Sequence, residues 1–355
     1  MARSVEARSL TFMNNKGGVG KTTLACNMAH YLSASEGLKV LLIDLDPQCN
    51  ATQLLIETDS IAELFANRAA HKDPRTVLYA LGDIRKGEST VPSNFEPVHS
   101  KRFEVDVLLG HPSLSLHEDT LSSSWEGTLR GDLGGARRTH WIQRVVEGAS
   151  GEYDIVLMDV GPSLGALNRT VAIGSDYILT PTAADLFSVN AIDNIDEWIK
   201  HWGRRYQQSM ERVFEEFPDD AEELALQPDG SLRAGYLGYT IQQYVTKSTS
   251  DGKRRGVRSY DYYRKQIPSR ASRLASTLRP LPIENLDLGT VPHMFSMVPL
   301  AQSRNAPIAS LTSADGLRGS QFSQQKKYLE QLNELGSHLA SNLSTAEAQV
   351  AGGNK

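Results

Sequence analysis

The sequence predicts an α/β fold with a doubly wound, mostly parallel sheet flanked by helices. Residues 39–45 and 153–160 are apolar runs with carboxylates at their ends, and buried parallel strands have this composition. A glycine-rich segment lies between a short β-leaning run, residues 9–13, and an apolar pattern with helical spacing, residues 24–32. The length of 355 residues, 40% of them hydrophobic, allows one enlarged domain or two domains.

The glycine-rich segment, residues 15–23, predicts a site for the phosphates of a nucleoside triphosphate. Glycines in this segment let backbone N–H groups approach anionic oxygens without obstruction. We expect Lys21 to pair with the β- and γ-phosphates and the Thr22 hydroxyl to bind Mg²⁺, at the start of a helix whose dipole favours anions. A plain glycine-rich turn is the alternative. The residues expected at the phosphates are Gly17, Gly18, Val19, Gly20, Lys21, Thr22 and Thr23.

This segment departs from the common phosphate-loop pattern G-x-x-x-x-G-K-[ST]. Asn15 occupies the first glycine position, and Lys16 adds a second lysine. A cation at position 16 lies outside the part of the loop that ordinarily surrounds the phosphates. We therefore expect Lys16 to fold back on its own loop or to reach a nucleotide held by another copy of the chain. A solvated surface lysine is the alternative.

Three aspartates mark the ends of the two apolar strands. Asp44 and Asp46 end the first strand, and Asp159 ends the second. The carboxyl ends of parallel strands face the ligand crevice of an open α/β sheet, so we expect all three side chains beside the loop. A strand-end capping role is the alternative for Asp44 and Asp46.

These segments together resemble one family. Residues 16–22 match K-G-G-x-x-K-[ST], and residues 44–52 resemble D-x-D-P-Q-x-N-x-T. Residues 159–164 resemble D-x-P-P-S-L, with Gly161 in place of the first proline. The chain is similar to the ParA/MinD family of deviant Walker A P-loop ATPases, closest to the ParA-like partition ATPases. The resemblance covers most of residues 8–345 in scattered blocks.

The resemblance implies roles for the charged residues. Lys16 would cross the interface of a nucleotide-bound dimer and touch the partner subunit's phosphates. Asp46 would orient or deprotonate the attacking water, and Asp44 would support the metal through water. Asp159 would hold a water ligand of Mg²⁺. Gln242 and Pro299 would contact the adenine base.

The resemblance also implies a function. We expect an ATP-dependent homodimer that hydrolyses ATP slowly and binds DNA non-specifically. With a ParB-like or other activator protein, it would partition or position DNA or other cargo in the cytoplasm, in association with the nucleoid. Two other interpretations remain open: a nucleotide-switch subunit of a signalling or defence system, and an ATP-dependent metabolic enzyme of the same superfamily.

The motif spacing predicts insertions near residues 110–140 and 200–290 of an ATPase domain that spans residues 1–345. The serine- and glycine-rich part of the first insertion, residues 122–138, is predicted to be a loop. An amphipathic helix is predicted at residues 195–214, and a core-packing helix at residues 322–343. Residues 346–355 are predicted to form a disordered tail, and the sequence there lacks the basic amphipathic helix that would suggest a membrane partner.

A basic segment with interleaved tyrosines predicts a surface for DNA phosphates. The formal net charge is −5, so attraction to a polyanion must come from a local face. The alternative is a solvated helix face. The residues expected to contact DNA are Lys253, Arg254, Arg255, Arg258, Arg264 and Lys265, and Arg270 and Arg273 follow in the same segment.

Cysteine content and hydropathy argue against disulfide-rich, metal-cluster, secreted and membrane-spanning proteins. Cys26 and Cys49 are the two cysteines and form no C-x-x-C pair, so we expect neither a disulfide scaffold nor a zinc or iron–sulfur site. This also argues against the cluster-bearing nitrogenase iron-protein branch of the superfamily. The charged residues 1–8 have no apolar signal core, and no run approaches the roughly 20 apolar residues that span a bilayer.

Overall fold

The computed structural model describes residues 7–67, 69–242, 258–291 and 296–353. For residues 258–259 and 349–353 it describes the backbone alone.

A central sheet organises the described residues. Its spatial order is β3-β4-β2-β5-β1-β6-β7-β8, and neighbouring strands are parallel except for the edge strand β3, which is antiparallel to β4. The mostly parallel sheet predicted from the sequence is therefore confirmed. The strands are β1 (Arg8–Phe12), β2 (Val40–Leu45), β3 (Val98–Ser100), β4 (Val105–Leu108), β5 (Ile155–Val160), β6 (Tyr177–Ala183), β7 (Gly235–Gln242) and β8 (Asp287–Val291).

The register of three central strands brings the acids and the loop together. All six residues of β2 and all six of β5 are buried, which explains their continuous apolar composition. Asp44 of β2 pairs with Asp159 of β5, and Asp159 also pairs with Phe12 at the end of β1. Because β1 leads into the glycine-rich segment, the loop and both carboxylates lie at the same edge of the sheet.

Helices cover both faces of the sheet. One face packs against α1 and α14, and the other packs against α7, α8, α9 and α12. No helix of the described residues is long and apolar enough to cross a bilayer. The helices are α1 (Lys21–Ala34), α2 (Asn50–Leu55), α3 (Thr58–Ala66), α4 (Val77–Ala80), α5 (Glu118–Leu129), α6 (Leu133–Thr139), α7 (Trp141–Ala149), α8 (Ala166–Gly174), α9 (Leu186–Glu216), α10 (Pro218–Glu223), α11 (Arg258–Arg264), α12 (Ile267–Thr277), α13 (Met297–Ser303) and α14 (Gln321–Gly353).

The loop predicted at residues 122–138 is wrong, because most of that segment is helical. Helices α5 and α6 occupy it and are joined by a short turn. The buried ring of Trp125 stacks on Tyr206 of α9 with centroids 6.1 Å apart and meets Trp202 edge-on at 5.6 Å. This aromatic packing against the long helix α9 stabilises helices whose serine and glycine content alone favours a loop.

The tail predicted at residues 346–355 is wrong as far as residue 353, because α14 continues to Gly353. Tyr328, Leu335 and Leu339 are buried against the sheet, as predicted for a core-packing helix. Ala346 is also fully buried, so the packed face extends into the predicted tail. Alanine has a high helix propensity, which outweighs the low hydrophobicity of this segment.

Candidate active site

The glycine-rich loop connects β1 to α1 in a conformation suited to anions. Gly20 is the N-cap of α1 with φ 74°, and no side chain caps the helix. The first N–H groups of α1 therefore have no capping side chain as a partner, and they point to where an anion would sit. The positive φ at Gly20 is a backbone conformation that other residues rarely adopt.

Asn14 fixes the loop to the neighbouring strand, a role that the sequence did not reveal. Its Nδ2 donates to the carbonyl of Pro181 in β6 at 2.6 Å. Its Oδ1 accepts the backbone N–H of Lys16 at 2.8 Å. The side chain thus ties the start of the loop to the end of β6.

Lys21 lies inside the site, between the loop and the acids. It is buried, and its Nζ is 3.4 Å from the carbonyl oxygen of Lys16. Burial lowers the pKa of Lys21, whereas the charges of Asp159 and Asp46 oppose that shift. The ammonium group therefore faces two carboxylates across the space where phosphates are expected.

Asp159 is a fully buried carboxylate without a well-formed hydrogen bond from the described residues. Burial, together with the nearby charge of Asp44, raises the pKa of Asp159 to about 8. The Thr22 hydroxyl and Lys21 lie near enough to oppose this rise. A buried acid without partners costs free energy, and a cation or its water ligands would relieve that cost.

This arrangement fits a magnesium ion held jointly with a nucleotide. Among the described residues, no three carboxylate, histidine or cysteine side chains converge to chelate a metal. Mg²⁺ characteristically keeps several waters and shares its ligands with substrate phosphates. The orphaned oxygens of Asp159 and the nearby Thr22 hydroxyl are suited to that mode of binding.

Asp44 contacts the segment that follows Asp46. Its Oδ2 accepts the backbone N–H of Thr52 at 2.8 Å and the Thr52 hydroxyl at 2.7 Å. Its Oδ1 accepts the backbone N–H of Asp46 at 3.2 Å. Burial raises the pKa of Asp44 to about 6, although the bonds from Thr52 oppose the shift. These contacts fit the capping alternative, and the expected metal role of Asp44 stays a prediction.

Asp46 is buried next to Gly161, just after the end of β2. Its Oδ1 accepts the backbone N–H of Gln48 at 2.9 Å, which leaves Oδ2 without a hydrogen bond from the described residues. A Cβ atom at residue 161 would lie only 3.1 Å from Oδ1 of Asp46. Glycine in place of the proline expected from the resemblance therefore lets the loop after β5 approach this acid closely.

Lys16 points away from the loop and binds a different element of the same chain. Its Nζ lies 2.8 and 2.7 Å from the two carboxylate oxygens of Asp185 and 2.9 Å from the Ser188 hydroxyl. Burial raises the pKa of Asp185, but the bonds from Lys16 and Ser188 outweigh it and hold the pKa below its usual value. In this conformation Lys16 is held in a partly exposed ion pair and is not folded onto its own loop.

Comparison with known proteins identifies the family. A family model described as an AAA domain matches residues 7–212, more than half of the chain. The chromosome partitioning protein ParA of Caulobacter vibrioides is 30% identical over 190 residues, which are 53% of this chain and 60% of that protein. The chain belongs to the ParA-like P-loop ATPases. Its matches span less than two thirds of the length of the first curated relatives.

Solved structures agree with the ParA-like fold. A protein of Corynebacterium diphtheriae is 36% identical, with a TM-score of 0.70 over 84% of this chain and 97% of that one. McdA of Cyanothece, solved as a complex with ATP, is 16% identical, with a TM-score of 0.59 over 96% of this chain and 97% of that one. At that identity, the second likeness establishes the fold alone.

The two expected base contacts lie in different parts of this ParA-like chain. The side-chain oxygen of Gln242 packs over the loop, 3.1 Å from where a Cβ atom at Gly20 would lie. Pro299 is exposed on α13 and lines a cavity of about 630 Å³ with residues of α2 and α3. The expected contact of each with adenine stays a prediction.

The basic segment is described in part. Lys253, Arg254 and Arg255 lie outside the described residues, and Arg258 is described by its backbone alone. Arg264 and Lys265 line a surface cavity that also contains two acids, Asp261 and Asp287.

Two further arginines of the segment are paired within the chain. Arg270 donates to Asp193 of α9 at 2.8 Å, and Arg273 donates to the same carboxylate at 2.5 Å. Asp193 therefore neutralises part of the positive charge that the sequence suggested for DNA.

Proposed function

We propose that this chain is an ATP-dependent switch that dimerises around nucleotide, hydrolyses ATP slowly and binds DNA non-specifically. With an activator protein, it would partition or position DNA or other cargo. The family membership supports the nucleotide chemistry in outline. The two lysines of the loop carry the more specific proposal.

Lys21 and Lys16 occupy opposite sides of the loop. Lys21 is buried between the loop and two acids, as a phosphate-pairing lysine should be. Lys16 is held outside its own site by Asp185, the N-cap of α9, and its side chain remains 29% exposed. Lys16 does not face the phosphate site of its own chain, but its side chain is partly exposed. It is therefore suited to contact the phosphates of a nucleotide bound by a second copy of the chain.

The surface beside Lys16 supports dimerisation. Leu186 and Phe187 directly follow Asp185, and they are 47% and 72% exposed. Large apolar side chains that cluster on a surface are typical of an interaction site. A partner subunit that covers these two side chains would also bring its nucleotide towards Lys16.

The three aspartates of the site have separate proposed roles in metal binding and hydrolysis. When bound, Mg²⁺ would neutralise charge on the β- and γ-phosphates of ATP. The Thr22 hydroxyl would bind the metal, and Asp159 would hold one of its water ligands. Asp46 would use its unpaired Oδ2 to orient and deprotonate the attacking water. Asp44 would hold the Asp46 segment in place through its bonds to Thr52 and to the Asp46 amide.

DNA binding rests on the part of the basic segment that is not neutralised. Arg264 and Lys265 make no ion pair among the described residues, although Asp261 and Asp287 line the same cavity. We propose that they contact DNA phosphates together with Arg258 and the basic residues at positions 253–255. Such contacts would be independent of sequence and sensitive to salt.

Light scattering and ATP-turnover measurements with and without duplex DNA test the proposal. Lys21→Ala should abolish ATP binding, whereas Lys16→Ala should still bind ATP as a monomer but lose both dimerisation and hydrolysis. Lys39→Ala is the matched control, because Lys39 is exposed at the amino end of β2, away from the loop. An ATP-dependent Lys16→Ala dimer would reject the cross-subunit role. Turnover that requires a small substrate and no dimer would favour a metabolic enzyme.

A further inference from the structure

A second cavity lies beside the residues that follow β4. It has a volume of about 330 Å³, a size typical of the smaller pockets that bind small molecules. It is lined by the end of α3, by residues 67, 70, 71, 78 and 85, and by residues 111, 113, 116 and 117 after β4. Its apolar wall includes Phe65 and Leu78, and Leu116 at its rim is 76% exposed.

Three histidines and an arginine supply most of the polar lining. They are His71, His111, His117 and Arg85, and the described lining contains no carboxylate. His111 and His117 are only 5% and 6% exposed. Nδ1 of His111 accepts the backbone N–H of Ser113 at 3.1 Å, so the neutral ring carries its proton on Nε2.

Polar atoms of both buried rings lack partners among the described residues. These atoms are Nε2 of His111 and Nδ1 of His117. The Leu64 carbonyl lies near enough to raise the pKa of His111, but it makes no well-formed hydrogen bond with the ring. Buried polar atoms without partners are rare, and an absent ligand or water is one of the few explanations for them.

The charge at this cavity is positive. Burial lowers the pKa values of His71 and His117, and the positive charge of Arg85 lowers both further. The rings are therefore neutral at neutral pH and act as N–H donors, while Arg85 supplies the cation. The Arg85 side chain makes no ion pair with any described residue, in contrast to its neighbour Lys86, which pairs with Asp83 at 2.7 Å.

We propose that this cavity binds a small organic anion. Its phosphoryl or carboxylate group would contact Arg85, His71 and His117, and its apolar part would pack on Phe65 and Leu78. A cation and several N–H donors on an apolar wall recognise this chemical class. The site is separate from the glycine-rich loop and does not depend on the proposed ATPase function.

The position of the cavity connects it to the acids of the loop site. His111 follows Gly110, whose backbone N–H donates to the Thr52 hydroxyl at 2.8 Å. That hydroxyl donates in turn to Asp44. A ligand that orders the turn at His111 would therefore also stabilise the segment that carries Asp46.

Calorimetry with phenyl phosphate and benzoate tests the proposal in the Lys21→Ala background, so that the loop does not compete for the phosphate. We expect saturable binding of at least one anion and none of benzyl alcohol. Arg85→Gln should weaken binding by about tenfold, because the variant cannot form the charge-assisted hydrogen bond. Lys86→Gln, which removes one charge outside the cavity lining, is the matched control and should change Kd much less than Arg85→Gln does.

Histidine ring NMR locates the bound anion. Bound anion should raise the pKa of His71 and His117 by about one unit, because a nearby opposite charge favours the protonated ring. The fully buried His140 should not respond. Tighter binding of phenyl phosphate than of benzoate would indicate phosphorylated ligands, and the reverse order would indicate carboxylates. No saturable binding of either anion, or an unchanged Kd in Arg85→Gln, would overturn the proposal.

Discussion

Asp185 binds the ammonium group of Lys16 with both carboxylate oxygens and at the same time caps helix α9 through the backbone N–H of Ser188. The two residues are 169 positions apart in the chain. If Lys16 reaches the phosphates of a partner subunit, it must first leave this ion pair. The strength of the pair therefore contributes to the free-energy cost of dimerisation.

Replacing Asp185 by asparagine should favour the ATP-dependent dimer. Asparagine keeps an oxygen that can cap α9 but removes the charge that holds Lys16. The pair is partly exposed, so its removal should be worth up to about 1 kcal/mol, or a several-fold decrease in the ATP concentration at half-maximal dimerisation. Light scattering during an ATP titration measures this shift. Asp193→Asn, on the same helix, is the control, and equal titrations of Asp185→Asn and the parent protein would contradict the prediction.

Replacing Asp46 by alanine should trap an ATP-bound dimer. The variant keeps Lys21, Thr22 and Asp159 but lacks the carboxylate that we assign to the attacking water. Single-turnover hydrolysis should fall by about a hundredfold or more, which is the usual contribution of a positioned general base. Nucleotide binding, followed with a fluorescent ATP analogue, should be unchanged. Hydrolysis at the parent rate would place the catalytic acid elsewhere.

Asp159 should make the stability of the nucleotide-free protein depend on pH. Its pKa is raised to about 8 in the folded chain, whereas the ordinary pKa of an aspartate is 3.8. Between these values the folded state binds the additional proton, so the contribution of Asp159 to stability is greatest at low pH and declines as the pH rises towards 8. The slope approaches about 1.4 kcal/mol per pH unit for one proton.

The variant Asp159→Asn isolates that contribution. Its advantage in free energy of unfolding over the parent should grow from pH 6.5 to pH 8, as measured by denaturant titration without Mg²⁺. Groups that titrate equally in both proteins cancel in the difference, and Asp44, with a pKa raised to about 6, is mostly ionised over this range. A difference between variant and parent that does not change with pH would show that Asp159 is not protonated in the folded chain.

Neutralising the unpaired basic residues should weaken DNA binding. Arg264→Gln with Lys265→Gln should reduce affinity for arbitrary duplex DNA, and each phosphate interaction that the variant removes should lower the slope of log affinity against log salt by about 0.9. Arg270→Gln with Arg273→Gln is the matched control and should cause the smaller decrease, because Asp193 already offsets part of the charge of those two arginines. Fluorescence anisotropy at several salt concentrations measures both. Equal decreases in the two double variants would reject the proposed surface.

The sequence predicts the parts of the site that local pattern determines. The loop, Asp44, Asp46 and Asp159 lie at one edge of the sheet, because parallel strands with apolar sequences place their carboxyl ends together. The capping contacts of Asp44 were also foreseeable, because its partner Thr52 lies only eight residues away.

The features that the sequence does not predict depend on tertiary contacts between distant parts of the chain. The partner of Lys16 depends on how the end of β6 is placed beside the loop, and no local pattern marks Asp185 for that role. Helix α5 was predicted to be a loop because serine and glycine have low helix propensity, but Trp125 packs on α9 and overrides that preference. The cluster of His71, His111 and His117 likewise forms through chain folding, since these residues share no sequence motif.

The small residue at position 161 sets the distance between two loops that rise from neighbouring strands. Its lack of a side chain allows the loop after β5 to touch the carboxylate of Asp46. In a chain with proline at this position, the additional carbon atoms would crowd Oδ1 of Asp46, so the loop or the acid would have to shift by a few tenths of an ångström. Residue 161 thus acts as a spacer that can adjust the position of the Asp46 carboxylate while every charged residue of the site stays the same.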